Sequence, residues 1–477
     1  MNTSFLKNSL PALALLGLAA CQPELDAPTV DKGSADFSRY ISIGNSLTAG
    51  FADNGLYLEG QQSSYPSILA QQFSAAGGGE FVQPLFPADK ANGSGFVKLL
   101  SIDASGSPVT TTVPGNAGRN PGAADKAPYV RFDQPINNLG IPGIRMVDVQ
   151  TAGYGSLAGN AYFERITPVA NPLETYFQRV KREAATATFF TTWLGSNDVL
   201  GYATAGGASP TATVPSSTTD TSFIRKSARI LNVLTANGAK GVVSTVPDVT
   251  GIPFFTTVGP RLKANLIAKN VPGMVLQTGF NPGGPTTANR KPIATTDIRD
   301  ASGGRQLFTL GGSAAAGLIG TATGKPWRDV YKASGNPPAG FGAFLTTYGV
   351  DTTALFGVTA QNPFPSAYVL DDVEQATVAT ATNYINSTLR TQAAAKNLVL
   401  FDVNVFFAGV ALNGYATNGV NNNTSYIRGN IFSLDGVHLT PRGNAVIANE
   451  MIKVINAKYG STLQQVDPNT YRGILLP

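Results

Sequence analysis

The chain holds one cysteine and one histidine in 477 residues. A single thiol cannot close an internal disulfide and cannot form a CxxC redox pair. One Cys and one His also exclude a Cys/His zinc cluster and an H-E-x-x-H metalloprotease helix. Chemistry that needs an imidazole must use His438, and chemistry that needs a thiol must use Cys21. Charge is scarce as well. Asp, Glu, Lys and Arg make up 13% of the residues, about half the usual ~25%, so Thr, Ser, Asn, Gln and Gly must dress much of the surface. The net charge of +5 is spread out. Its densest basic group is Arg179, Lys181 and Arg182, interrupted by Val180 and followed by Glu183. That pattern reads as a solvated helix face and not as a phosphate-binding stripe, so no nucleic-acid partner is expected.

Hydrophobic residues make up 43% of the chain, enough for a large core. The 52 glycines and 31 prolines are too few for a collagen-like or low-complexity chain. Length alone suggests about three domains, but a single decorated α/β domain also reaches this size.

The N-terminus reads as a sorting signal. Lys7 is followed by an apolar run from Leu10 to Ala20, broken by Pro11 and Gly17. The run is too short for a stable membrane-spanning helix and has signal-peptide proportions. It ends in Leu18-Ala19-Ala20-Cys21, which resembles the bacterial lipoprotein signal, in which the cysteine is lipidated and becomes the new N-terminus. An ordinary secretory signal that happens to contain a cysteine is the alternative. The resemblance implies residues 1–20 as signal peptide, a lipid on Cys21 as membrane attachment, and a polar tether over residues 21–36. Gln22 after the cysteine resembles outer-membrane sorting, which places the expected protein in a bacterial cell envelope.

Within the body, Arg39–Ile43, Ala187–Leu194, Gly241–Val246 and Leu398–Val403 are short apolar runs of buried-strand type. Asn138-Leu139-Gly140 ends another. Helical spacing is expected over Tyr65–Phe73, around Ile230–Leu234, over Asp372–Ala395 and over Pro441–Tyr459. Residues 83–126 read as a long irregular stretch. Residues 251–365, rich in Gly, Thr, Ala and Pro, read as an elaboration of the core and not as a separate domain. Strands alternating with helices predict an α/β fold with a central parallel sheet covered on both faces, with ligands at the carboxyl ends of its strands. The expected domain spans 37–460, with insertions at about 76–130 and 251–365 and a tail over 461–477.

Four short motifs end these strands or open helices. Gly44-Asn45-Ser46-Leu47 can expose a serine hydroxyl at the mouth of the sheet. Asn138-Leu139-Gly140-Ile141-Pro142-Gly143 offers an unobstructed glycine N–H. Gly195-Ser196-Asn197-Asp198 offers a side-chain amide to a developing oxyanion. In Asp435-Gly436-Val437-His438 a carboxylate three residues before the imidazole can fix its tautomer, with Thr440 and Pro441 capping the helix behind. Taken singly, each is also an ordinary turn. Gly320 to Pro326 imitates a phosphate loop, but it is one residue short and has Pro where Ser or Thr would bind Mg²⁺. No G-x-S-x-G elbow occurs. Asp371, Asp372 and Glu374 read as a helix N-terminus rather than as a glycosidase pair.

Taken together and in this order, IGNSLTAG, NLGIPG, WLGSND and DGVHLTPRG resemble the four blocks of the SGNH hydrolases, the GDSL-type esterases and lipases. The resemblance rests on about thirty residues, in an order and strand context that run through most of 39–459. It implies a three-layer, flavodoxin-like α/β/α fold and a serine hydrolase acting on esters without a metal or other cofactor. Ser46 would be the nucleophile, His438 the general base and then acid, and Asp435 the orienting carboxylate. The oxyanion hole would combine the Ser46 N–H, the Gly143 N–H and the Asn197 side chain. The expected substrate is an ester of a lipid or an acylated carbohydrate. Two departures stand out: Asn45 occupies the usual Asp position, and the spacers are long. An inactive scaffold that binds glycans or lipids, and an O-acyltransferase with the same triad, remain open as alternatives.

Overall fold

The computed structural model describes residues 30–103, 108–118, 129–156, 158–208, 213–216, 222–279 and 289–475. The expected signal peptide, Cys21 and the first part of the expected tether lie outside the described residues.

Five strands form one parallel sheet: β1 (Tyr40–Gly44), β2 (Asn138–Gly140), β3 (Phe189–Trp193), β4 (Lys240–Ser244) and β5 (Val399–Phe401). Their order is β5-β4-β3-β1-β2. Every residue of β1 and β3 is buried, as expected of strands covered on both faces. Phe189 turns its ring to Phe37 and Tyr459, while its neighbour Phe190 must point to the opposite face.

The helices that bear on the site are α1 (Ser46–Ala49), α2 (Tyr65–Ser74), α3 (Tyr176–Ala184), α4 (Asn197–Thr204), α5 (Ser222–Thr235), α6 (Asp372–Ala395) and α7 (Pro441–Tyr459). They flank the sheet in two groups: α2 packs with α7, and α5 packs with both α3 and α6. On α7, Ile447, Met451 and Ile455 are fully buried, each contributing about 1.5–3 kcal/mol of burial. The acidic group at the start of α6 is a capping box: Asp371 accepts the Val373 and Glu374 N–H groups, and Glu374 returns a bond to the Asp371 N–H.

Several expectations need correction. Arg179 does not lie on a solvated face. It is 4% exposed and pairs with Glu183 at 3.1 Å and Glu174 at 3.8 Å, while Lys181 and Arg182 are exposed. The stretch read as irregular contains an antiparallel hairpin, Gly95–Ile102 with Pro108–Pro114, whose strands are largely exposed on both faces. With little to bury, it lacks the apolar alternation by which a strand is recognised. The run Leu398–Val403 ends as a strand at Phe401, because Asp402 caps a helix over Val403–Asn413. Residues 258–369 also contribute a second apolar cluster, around Leu262, Phe308, Trp327, Phe356 and Phe364, while Ile252, Phe255 and Leu307 join the main core, a pattern compatible with an elaboration of the core.

Residues 31–34, within the expected tether, are docked on the body. Ser34 donates its N–H to the Tyr459 carbonyl at 2.8 Å, and Asp31 donates its N–H to Thr462 Oγ1 at 2.8 Å.

Candidate active site

Strand order places the site. From β1 the chain passes to β2 on one side, and later to β3 on the other, so the carboxyl end of β1 is where the connectivity reverses. Open α/β sheets leave a crevice at such a point. Gly44, the last residue of β1, pairs with Gly140 of β2 and Trp193 of β3. A Cβ on Gly44 would collide with the Thr48 side chain, so only glycine lets α1 turn this tightly off the strand. Asn45 caps that helix, its Oδ1 accepting the Leu47 N–H at 3.0 Å. Asn and Asp cap equally well, so Asn at this position keeps the turn. The Asn45 Nδ2 is buried without a partner. Ser46 thus begins α1 with its side chain at the mouth of the sheet.

The other half of the site comes from the segment before α7. Asp435 accepts the N–H groups of Val437 and His438 on Oδ1, both at 2.8 Å, which closes the loop into a tight turn. Gly436 sits in this turn at φ +69°. Thr440 accepts the Gly443 N–H at 3.0 Å and Pro441 opens α7, so the cap expected from the sequence pins the loop from behind.

The two halves meet. His438 Nε2 lies 2.9 Å from Ser46 Oγ, and His438 Nδ1 lies 2.9 Å from Asp435 Oδ2. With Nδ1–H donating to the carboxylate, Nε2 is the acceptor for the serine O–H. The Phe51 ring packs 4.7 Å from the imidazole. Burial pushes the Asp435 carboxyl up, but the His438 ring and the N–H groups of His438 and Asn54 outweigh it and hold the group well below the usual carboxylate range. These contacts favour the carboxylate form of Asp435.

Gly143 follows β2 and Asn197 follows β3, the two strands that neighbour β1. Gly143 follows β2 at φ +82°, with nothing closer to its Cβ position than Asn160 Nδ2 at 3.7 Å. Here the backbone conformation, not space, calls for glycine. Asn197 opens α4 after β3, and its Nδ2 donates to the Ile144 carbonyl at 3.0 Å. That bond uses one of the two amide hydrogens and leaves the other free. Among the described residues, the backbone N–H groups of Ser46 and Gly143 have no acceptor.

Two supports were not read from the sequence. Asp198, buried beside Asn197, accepts the Met146 N–H on both oxygens, at 3.0 and 2.9 Å. It clamps the Gly143 loop to α4, and burial pushes its carboxyl up to about 7. The WLGSND block contained the residue, but nothing in the block marked its partner. The second support is the turn Ala52–Gly55, whose ends exchange N–H to carbonyl bonds at 2.9 Å. Asp53 and Asn54 both have positive φ, 52° and 64°, as a two-residue hairpin turn requires. Asn54 donates its N–H to Asp435 Oδ2 at 3.0 Å, and Asp53 Oδ1 accepts the Leu434 N–H at 2.9 Å. Tyr57 donates its O–H to Asp53 at 2.8 Å, and Arg472 in turn reaches Tyr57 at 2.8 Å and Glu59 at 2.9 Å. A hydrogen-bonded chain thus links the C-terminal tail to the carboxylate of the site. The Asp-Asn-Gly tripeptide at 53–55 was the available signal, as a turn.

Among the described residues, no group of three His, Cys, Asp or Glu side chains could hold a metal ion. No helix among them is long and apolar enough to cross a membrane. Comparison with known proteins finds no matching family model, no similar curated protein and no similar solved structure.

Proposed function

We propose that this chain is a serine ester hydrolase of the SGNH type, with a three-layer flavodoxin-like fold, anchored to a bacterial cell envelope through a lipid on Cys21. The observation that carries the reading is the unbroken line Ser46 Oγ, His438 Nε2, His438 Nδ1, Asp435 Oδ2, with both contacts at 2.9 Å. The only imidazole in the chain stands there.

In the first half-reaction Ser46 Oγ attacks the ester carbonyl carbon while His438 Nε2 takes the hydroxyl proton. The base contributes roughly 10²–10⁴ in rate. The carbonyl oxygen becomes an oxyanion, stabilised by the Ser46 and Gly143 N–H groups and the free amide hydrogen of Asn197. The intermediate collapses, the C–O bond to the alcohol breaks, and His438 returns its proton to the leaving oxygen. Water then repeats the sequence on the acyl-enzyme: His438 takes a proton from the water, and Ser46 leaves with it. Asp435 stays ionised throughout, orienting the ring and stabilising its charged form. No metal or other cofactor takes part in this scheme. The substrate class is an ester of a lipid or an acylated carbohydrate.

The test is hydrolysis of p-nitrophenyl acetate by wild type and Ser46→Ala, with labelling by a fluorophosphonate probe. The expected result is labelling of wild type alone and a fall in kcat of at least ~10³ in the variant. Equal hydrolysis by both proteins would overturn the assignment. Labelled palmitate incorporated into wild type but not into Cys21→Ser tests the anchor separately.

A further inference from the structure

Between the far end of α4 and the insertion lies a cleft of about 500 Å³ that the reaction above does not use. Phe254, Phe344, Tyr348 and Tyr368, all half-buried, present their rings to it, and the buried Trp327 closes one wall. No Asp, Glu, Lys or Arg lines it. The buried Gln277 accepts the Ser366 N–H through Oε1 at 3.3 Å, while its Nε2 has no partner. The Trp327 Nε1 likewise has none. The phenols of Tyr348 and Tyr368 make no hydrogen bond among the described residues.

This lining selects by chemistry. A charged ligand would meet no charged side chain on the lining and would lose its hydration. An alkyl chain would suit the rings but would cover polar groups without giving them an acceptor, which is unfavourable. A neutral ring with C–H faces and hydroxyl edges meets both demands. Its faces lie on the aromatic rings, and its oxygens accept from the phenols at the rim and, after a small shift of side chains, from Gln277 and Trp327. The size and the mix of aromatic walls with a few polar groups are those of small-molecule sites.

The cleft also adjoins the catalytic loop. Phe254 on its wall donates its N–H to the Gly436 carbonyl at 3.0 Å, and Gly436 lies between Asp435 and His438. Thr204 and Ala205 line the cleft from the far end of α4, whose first residue is Asn197. Eight helical residues span about 12 Å, a separation that an extended ligand can bridge. We infer that this cleft is a carbohydrate subsite, which holds a neutral pyranose unit of an acylated glycan while Ser46 attacks its ester. The inference rests on the ester-hydrolase reading and narrows its substrate class.

The test separates binding from turnover. The full chain carrying Ser46→Ala is titrated with methyl glycosides and disaccharides of glucose, galactose, xylose and N-acetylglucosamine, and with decanol as the alkyl probe. Binding is followed by saturation-transfer NMR and tryptophan fluorescence. At least one saccharide is expected to bind saturably, with Kd raised tenfold or more by Gln277→Leu and by Trp327→Phe. Circular dichroism checks that the variants fold, and Tyr348→Ala at the half-buried rim gives the same reading if the two buried changes do not. The inference is overturned if no saccharide binds, if binding ignores all three changes, or if decanol binds and the sugars do not. Failure of the subsite alone would leave wild-type hydrolysis of p-nitrophenyl acetate intact. Failure of the ester reading alone would leave saccharide binding intact.

Discussion

Asn54 and His438 share one oxygen. The backbone N–H of Asn54 donates to Asp435 Oδ2 at 3.0 Å, and the same atom takes the His438 Nδ1 contact at 2.9 Å. The carboxylate that orients the imidazole is therefore itself oriented by a turn near the start of the domain. Asp53 holds that turn to the strip before Asp435 through the Leu434 N–H. Asp53→Ala leaves that buried N–H unpaired, which costs about 1–3 kcal/mol of stability. We expect a matching shift in the denaturant midpoint, and a fall in kcat larger than any change in KM. Unchanged kinetics in a destabilised Asp53→Ala protein would show that the turn supports the fold without positioning the triad.

Asn197→Ala removes the side-chain amide that the proposed mechanism assigns to the oxyanion. A fall in kcat of about 10²–10³ with little change in KM is expected, because the interaction is made in the transition state. Steady-state kinetics on p-nitrophenyl acetate checks this. Equal loss from Asn197→Asp, which keeps the size but has no amide N–H, would strengthen the assignment.

Gly436→Ala has two costs. The position has φ +69°, and an added Cβ would come within 2.9 Å of the Phe254 backbone nitrogen. Backbone strain of this kind costs about 1–3 kcal/mol. The loop it strains carries both Asp435 and His438. Loss of activity should therefore exceed loss of fold, measured as residual kcat against thermal midpoint.

Asp198 gives a dependence on pH. Burial raises its carboxyl from the ordinary 3.8 to about 7, with Asp148 pushing the same way and the Met146 N–H, Arg145 and Lys226 opposing. Between these two values the folded chain holds a proton that the unfolded chain has released. For this group, stability therefore falls as pH rises from about 4 to about 7, and levels off above. Denaturation of wild type and Asp198→Asn at pH 5 and pH 8 isolates the effect. The loss of stability between the two pH values should be smaller in the variant.

The strands and helices that build the site were legible because burial writes itself into composition. YISIG and FFTTW are covered on both faces, and α7 shows its apolar stripe. Ser46, His438 and Asp435 were legible because the tight turns after β1 and before α7 restrict which residues can stand there. The clamps were not. Asp198 to Met146, Asn54 to Asp435 and Arg472 to Tyr57 join backbone or side-chain groups across long sequence separations, and no local pattern encodes a partner. Arg179 failed for a related reason. A cation beside two buried carboxylates has the same sequence as a cation in water. The insertion hid its aromatic cluster because its elements are short, so no periodicity could develop.

The docked residues 31–34 have a geometric corollary. They run beside Lys240, the first residue of β4, and Tyr459, the last of α7, so the polypeptide enters at the leading ends of the strands. Ser46 stands at the trailing ends, the length of β1 away. Any tie fastened ahead of residue 30 would hold the molecule by its base. The Ser46 hydroxyl lies at the opposite end of the strands from that entry point.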